Sequence, residues 1–236
     1  MKYQFQRFSM LTVMFLINFF CAHAQKNKDG FKKIFDGKSM KNWEGDTAHW
    51  RIENGAFIGE VTAAKQLKTN TFMIYRGDVP ENFEFKAEYR ISPEGNSGVQ
   101  YRSERVENIA YALKGYQADI DGANRYTGQN YEERGRGFLA MRGEQSVLKE
   151  GQKPTITGKV GNSDELKSKI RNNDWNQIHI IANGNHILHY INGVLMSETT
   201  DEDATKRKIN GLIGLQVHVM PKMTVEYREI YLKAIK

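Results

Sequence analysis

Cysteine, proline and long apolar runs are all scarce in this sequence. Its one cysteine among 236 residues is Cys21, so the chain can close no internal disulfide and its fold must rest on a packed core. Four prolines leave no long linker evident. The apolar run from Met10 to Phe20 is interrupted by Asn18 and falls short of the roughly 20 residues that a membrane anchor needs. It follows Lys2 and Arg7 and ends at Ala22-His23-Ala24, the grammar of a cleaved secretory signal. Residues 1–24 are therefore expected to be a signal peptide, and the protein is expected to be exported, periplasmic or secreted, with no membrane span. Phe20 stands where a lipoprotein signal wants a small residue, which argues against lipidation of Cys21. A short polar tail, 25–30, is expected to precede one domain over 31–236.

Strong charge is missing too. The whole chain carries +6, and the basic residues are scattered among acids rather than gathered in a stripe, so nucleic acid is not an expected partner. No glycine-rich phosphate loop follows a strand and opens a helix, and no serine nucleophile elbow is present. A pair of carboxylates alternating along one strand, the mark of a jelly-roll glucanase, is also absent.

What is present is a period of two. Residues 83–91, Phe-Glu-Phe-Lys-Ala-Glu-Tyr-Arg-Ile, alternate apolar and charged side chains, and 225–231 behave similarly. Asn183-Gly184 and Asn192-Gly193 separate three strand-like runs as tight hairpin turns do. Further short runs lie at 50–53, 56–59, 71–74, 99–102, 115–120, 138–141 and 212–219. A dozen short strands with few helical stretches predict an all-β sandwich or jelly roll. One short helix is expected near Ser163-Asp164-Glu165, with the serine as cap. The Gly-rich, charged and aromatic stretch 121–162 is expected to be a long functional loop. Trp43, Trp50 and Trp175 are expected in the core.

Three apolar strands carry polar residues at i and i+2, which the strand period puts on one face. The pairs are Gln100 with Arg102, Gln117 with Asp119, and Gln216 with His218. Side by side they would form a patch of amides, guanidinium, carboxylate and imidazole suited to a hydroxyl-rich ligand. The bland reading is an ordinary wet sheet face. Against it stands composition: wet strands here use Lys and Glu, as at Glu84, Lys86 and Glu88, whereas these three use Gln and shorter side chains. The stretch after Asp119 adds Asp121, Tyr126, Tyr131, Glu132, Glu133, Arg134 and Arg136. Adjacent Glu132 and Glu133 cannot both point one way, so one of them at most is a site residue, and the arginines stand equally well as local partners of the glutamates. His186 and His189 fall on opposite faces of one strand, which defeats joint metal ligation.

The order of segments resembles the 3-keto-disaccharide hydrolase family, also known as domain of unknown function 1080. The matching pieces are Phe35-Asp36-Gly37-Lys38-Ser39 with Trp43, Trp50-Arg51-Ile52-Glu53-Asn54-Gly55, and Asn96-Ser97-Gly98-Val99-Gln100-Tyr101-Arg102. Gly115-Tyr116-Gln117-Ala118-Asp119-Ile120, Asp174-Trp175-Asn176, Ile191-Asn192-Gly193, Gly214-Leu215-Gln216 and Val225-Glu226-Tyr227-Arg228-Glu229-Ile230 follow in order. Many members have Glu in place of Gln117 and Gln in place of Asp119, so the chain looks like a subgroup also marked by Tyr131-Glu132-Glu133-Arg134-Gly135-Arg136-Gly137. The resemblance implies a concanavalin-like jelly roll acting on a small-molecule partner, a sugar or glycoside oxidised to a ketone at C3. A C3 carbonyl acidifies the C2 proton, so a base can remove it, the aglycone leaves from C1, and water then adds across the alkene. On this reading His218 or Asp119 is the base, Arg102 the cation at the enolate, and Glu133 or Tyr131 the acid, while Gln100, Gln117, Gln216, Tyr131 and Arg136 hold substrate. A divalent ion held through Asp119 would be the cofactor such a site could use. The other reading is a carbohydrate-binding, lectin-like domain without catalysis.

Overall fold

Alternation along 83–91 sets the local rule: Phe83, Phe85, Ala87, Tyr89 and Ile91 are buried while Glu84, Lys86, Glu88 and Arg90 are half-buried, as a strand with one packed face requires. The computed structural model, which describes residues 29–236, has seventeen strands among those residues, and the same alternation recurs at 176–183, 186–191 and 223–228. In chain order the first nine are β1 (Lys32–Lys33), β2 (Trp43–Glu44), β3 (Trp50–Glu53), β4 (Ala56–Val61), β5 (Thr71–Tyr75), β6 (Phe83–Ile91), β7 (Asn96–Arg105), β8 (Leu113–Asp121) and β9 (Asn130–Glu133). β10 (Gly137–Ala140), β11 (Glu144–Leu148) and β12 (Thr155–Lys159) precede the one helix among the described residues, α1 (Ser163–Lys167). β13 (Asn176–Asn183), β14 (His186–Ile191), β15 (Val194–Asp201), β16 (Leu212–Val217) and β17 (Met223–Ala234) complete the chain. The expected leader lies outside the described residues.

The strands form two sheets. A ten-stranded sheet runs β12-β11-β15-β14-β13-β6-β17-β4-β3, with β1 added on β17, and a seven-stranded sheet runs β10-β9-β8-β7-β16-β5-β2. All pairings are antiparallel except β11 with β15. Inward residues of both sheets, among them Phe57, Phe85, Tyr89 and Tyr227 from the larger and Val99, Tyr101, Tyr116 and Leu215 from the smaller, are essentially inaccessible to solvent and form one core. This is an all-β jelly-roll sandwich, as the period of two predicts. Among the described residues, no helix is long and apolar enough to cross a membrane.

Four local expectations are corrected. The stretch 121–162 is not a loop: it folds into β9 to β12, whose strands of four or five residues are too short to show clear alternation. The helix cap is Asn162, whose side chain accepts from the amides of Asp164 and Glu165 at 2.9 and 3.2 Å; Ser163 is already the first helical residue. Trp43 and Trp50 are core, but Trp175 lies half-buried on the outer face of the large sheet with the Arg228 guanidinium 3.8 Å from its ring centroid.

The fourth correction bears on the site. Arg102 has φ +47°, and the β7–β8 register slips between Tyr101 and Glu104, so the i, i+2 rule fails at that residue. Its side chain turns away from Gln100 and is fully buried. There it donates to backbone carbonyls of Gly184 (2.7 Å) and Glu81 (2.8 Å), both in turns of the large sheet, and to that of Lys208 (3.4 Å). Arg102 ties the two sheets together at one end of the sandwich.

Candidate functional site

The outer face of the small sheet carries the candidate site. Register places Gln100 opposite Gln117, Gly98 opposite Asp119 and Gln117 opposite Tyr131, while Gly214 opposes Gln100. Gln100, Gln117, Asp119 and Gln216 thus share a face, as the spacing predicts. Gly98 makes this close grouping possible: a Cβ there would stand 2.6 Å from the Gln117 Cγ. The face is curled into a trough. In a flat sheet the four strand spacings from β9 to β5 would span about 19 Å, yet Asn70, just before β5, donates from Nδ2 to Glu133 Oε1 on β9 at 3.2 Å. Arg134 likewise reaches Thr69 Oγ1 at 2.9 Å. These contacts close one section of the trough and leave a cavity on either side, with Glu133 lining both.

The first cavity, about 240 Å³, is lined by Asn96, Gln117, Asp119, Tyr126, Tyr131, Glu133, Phe138 and His218. Asp119 is buried, and its carboxylate accepts from Gln117 Nε2 (2.7 Å) and Gln129 Nε2 (2.9 Å). Burial is the dominant influence on it and pushes its pKa up to about 7 against the pull of the two amides, with nearby Glu133 and Asp121 adding to the rise. His218 donates from Nδ1 to the Val219 carbonyl at 2.9 Å. Since a carbonyl only accepts, neutral His218 carries its proton on Nδ1 and offers the Nε2 lone pair to the cavity. Tyr131 holds its phenolic proton more tightly than usual, through partial burial and then the charges of Glu133 and Asp119. Tyr131 and Tyr126 pack against Phe138 with ring centroids 5.1 and 6.3 Å apart, and Phe138 is 48 % exposed. The cavity therefore has one aromatic wall and one wall of titratable groups.

Beneath it lies a layer of unmet amides. Both amide atoms of Gln100, Gln117 Oε1, Gln129 Oε1 and Gln216 Nε2 are buried without a hydrogen-bond partner among the described residues, and Gln117 reaches Gln216 Oε1 only at 3.4 Å. Unsatisfied polar atoms are rare in a folded interior because each costs about 1–3 kcal/mol, so their concentration under one cavity marks this face.

Four of the nine site residues read from sequence are not part of the cavity at Asp119. Arg102 is the clamp described above. Arg136 lines the second cavity, but its guanidinium is held by Glu132 (2.6 Å), Asp201 (2.6 Å) and Asp203 (3.7 Å), so the local pairing weighed from sequence is what the fold uses. Gln100 and Gln216 are on the right face but wholly enclosed. Asp121 organises the turn after β8 by accepting from the amides of Arg125, Tyr126 and Thr127. The sequence reading passed over Gln129, Asn96, Phe138 and Asn70. Gln129, Tyr131 and Glu133 share one parity, a signal hidden by treating this stretch as a loop. A metal at Asp119 does not suit the donor set, because both carboxylate oxygens already accept amide N–H bonds. Among the described residues, no group of three or more His, Cys, Asp or Glu side chains is placed to hold one.

Comparison with known proteins agrees with this architecture. A glycosyl hydrolase candidate from Parabacteroides distasonis superposes with a TM-score of 0.57 at 17% identity, over 88% of this chain and 95% of that one. The carbohydrate-binding module CBM66 from Bacillus subtilis gives 0.53 at 14%, over 82% and 96%; at such identities the likeness is one of fold. The 3-keto-disaccharide hydrolase of Bacteroides thetaiotaomicron is 33% identical over 85 residues, which cover 33% of this chain and 29% of that protein. Residues 30–233 match the sequence profile of one family across nearly all of the described chain, and the protein belongs to the family of 3-keto-alpha-glucoside-1,2-lyase-like domains.

Proposed function

We propose that this carbohydrate-active protein, exported by its leader, cleaves 3-keto-glycosides by elimination and hydration at the Asp119 cavity. The observation that carries the reading is Asp119 itself, a buried carboxyl with a pKa of about 7 on the wall of a cavity with a second basic group, His218 Nε2. A proton acceptor works best when its pKa lies near the working pH, and an ordinary surface aspartate is too weak a base to take a carbon-bound proton.

The steps balance with the residues at hand. Asp119 takes the C2 proton, made acidic by the C3 carbonyl. Negative charge moves to the carbonyl oxygen, where the Asn96 amide is a donor with no other partner among the described residues. The C1–O bond breaks as Tyr131 gives its proton to the leaving oxygen. His218 then takes a proton from water as the water oxygen bonds to C1, and protonated Asp119 returns a proton to C2. His218 finally reprotonates Tyr131, so the net change is addition of one water across the glycosidic bond. Arg102 has no part, and amide donors take the place expected of it.

The test is incubation with a 3-keto-glucoside and with the corresponding plain glucoside. Aglycone release from the first alone is the expected result. Binding of both without release would replace this reading with that of a carbohydrate-binding domain.

A further inference from the structure

The second cavity, about 420 Å³, is larger than the first and differs from it in charge. Its wall carries Lys114, Arg134, Lys206 and Lys208, all exposed. Lys114 and Lys208 share a single carboxylate, Glu104, at 3.2 and 2.6 Å. Arg134 makes its one hydrogen bond to a neutral hydroxyl, Thr69 Oγ1, and Lys206 Nζ has no partner among the described residues. Arg136 contributes no free charge, since Glu132, Asp201 and Asp203 hold it. On the wall itself Glu132 offsets Arg136, with Asp201 and Asp203 buried behind it, and the rest of the lining is four cations against two carboxylates, Glu104 and Glu133. Cations of one sign around a concave surface focus potential on whatever enters it, and a guanidinium with open donors matches the planar fork of an oxyanion.

We infer that this cavity is a subsite for an oxyanion carried by a sugar, a uronate carboxylate or a sulfate ester, with Arg134 and Lys206 as its principal ligands. Glu133 borders both cavities, so one saccharide can bridge over the Asn70–Glu133 contact, with a neutral ring at Asp119 and an acidic ring on the far side. The inference uses the carbohydrate reading for the nature of the ligand but does not require turnover.

The test is therefore binding of plain, unoxidised disaccharides to the full chain by calorimetry: glucosyl-glucose, glucosyl-glucuronate and glucosyl-glucose-6-sulfate. The expected result is at least tenfold tighter binding of one or both acidic sugars, with the two acidic arms distinguishing carboxylate from sulfate. That preference should fall about tenfold in the double variant Arg134→Ala/Lys206→Ala and shrink as salt rises. It should persist in Lys153→Ala, an exposed lysine outside both cavities. Equal affinity for neutral and acidic sugars overturns the inference, as does an acidic preference that the double variant leaves intact. Equally tight binding of an oligonucleotide, showing attraction for any polyanion, overturns it too. Failure of the catalytic proposal would appear instead as absent aglycone release and would leave these affinities untouched.

Discussion

Both sheets turn a polar face outward, and the two faces differ in how their polar groups are satisfied. On the large sheet, Arg90 pairs with Glu226 at 2.8 Å, Arg228 with Glu88 at 2.7 Å, and Lys233 with Glu84 at 2.9 Å, where His179 also bonds at 2.9 Å. Every one of these charges has a partner on a neighbouring strand, and water reaches most of them. The small sheet has glutamines where the large one has Glu, Lys and Arg, and five of their amide atoms are buried with no partner among the described residues. The first arrangement is complete as it stands. The second carries a cost that a ligand in the trough, or water, would relieve. Polar alternation alone therefore says only that a face is not core, and partner satisfaction separates a solvated surface from a site.

The sharpest way to break this contrast is Asp119→Asn, which keeps the shape and removes the base. Aglycone release from a 3-keto-glucoside should fall about a thousandfold, whereas Glu88→Gln on the other face should leave it unchanged. For the unaltered protein, the proposed activity predicts a kcat/KM that rises about tenfold per pH unit below roughly pH 7 and levels off above it, since the ionised carboxylate would be the active form and its pKa is about 7. The same group makes a stability prediction of opposite sense to the usual aspartate. Its folded pKa lies above the ordinary value of 3.8, so the unfolded chain releases the proton first and stability declines as pH rises from about 4 to about 7. The loss, on the order of 4 kcal/mol at most, should vanish from the denaturation curves of Asp119→Asn.

Next in size is Arg102→Ala. The residue belongs to neither face, and its loss strands the carbonyls of Glu81 and Gly184 inside the protein. Urea denaturation should show a loss of about 3 kcal/mol. A variant that folded with normal stability but lost sugar binding would return Arg102 to the site and undo the contrast.

Arg102 also shows how far the sequence could be read. Alternation along β6 and β17 and the Asn-Gly turns were enough for the class of fold, because burial of every second side chain leaves a direct trace in the order of residues. The grouping of Gln117, Asp119 and Gln216 was legible for the same reason. Arg102 was misplaced because a single residue at positive φ (+47°) reverses parity, and nothing in Tyr-Arg-Ser announces a bulge. Gln129 was missed because β9 spans four residues and takes its shape from pairing with β8, and Phe138 because its run, read as a strand, reaches the patch only through pairing of β10 with β9. The division of the trough into two cavities depends on curl of the sheet, which no local pattern encodes. The charge difference between them likewise emerges only once Arg136 is seen to be bound by Asp201 and Asp203, some 65 residues away.

Smaller effects should come from within the glutamine layer. Gln100 is fully enclosed and neither of its amide atoms has a partner, so Gln100→Leu should stabilise the protein by about 1 kcal/mol, in thermal or chemical denaturation, by removing an unpaid desolvation cost. Sugar affinity should fall at the same time if the layer serves the trough. A destabilised variant would mean that Gln100 is satisfied by buried water and that the two faces are more alike than their direct contacts imply.

The smallest effect is expected on the large sheet, where the contrast predicts robustness. Arg228 and Glu88 form a 2.7 Å pair with side chains 39% and 34% exposed. Solvent screens such a pair, and ordering two long side chains offsets much of the attraction, so a double-mutant cycle of Arg228→Ala and Glu88→Ala should give a coupling of only about 0.5 kcal/mol. Arg228→Ala alone should cost somewhat more than the coupling, because its guanidinium also covers the Trp175 ring and that contact is outside the cycle. Raising salt should shrink the coupling while leaving the Trp175 share in place, since stacking is screened less than charge pairing. A coupling of several kcal/mol would show that the outer face of the large sheet is as tightly specified as the trough, and partner satisfaction would then no longer distinguish surface from site.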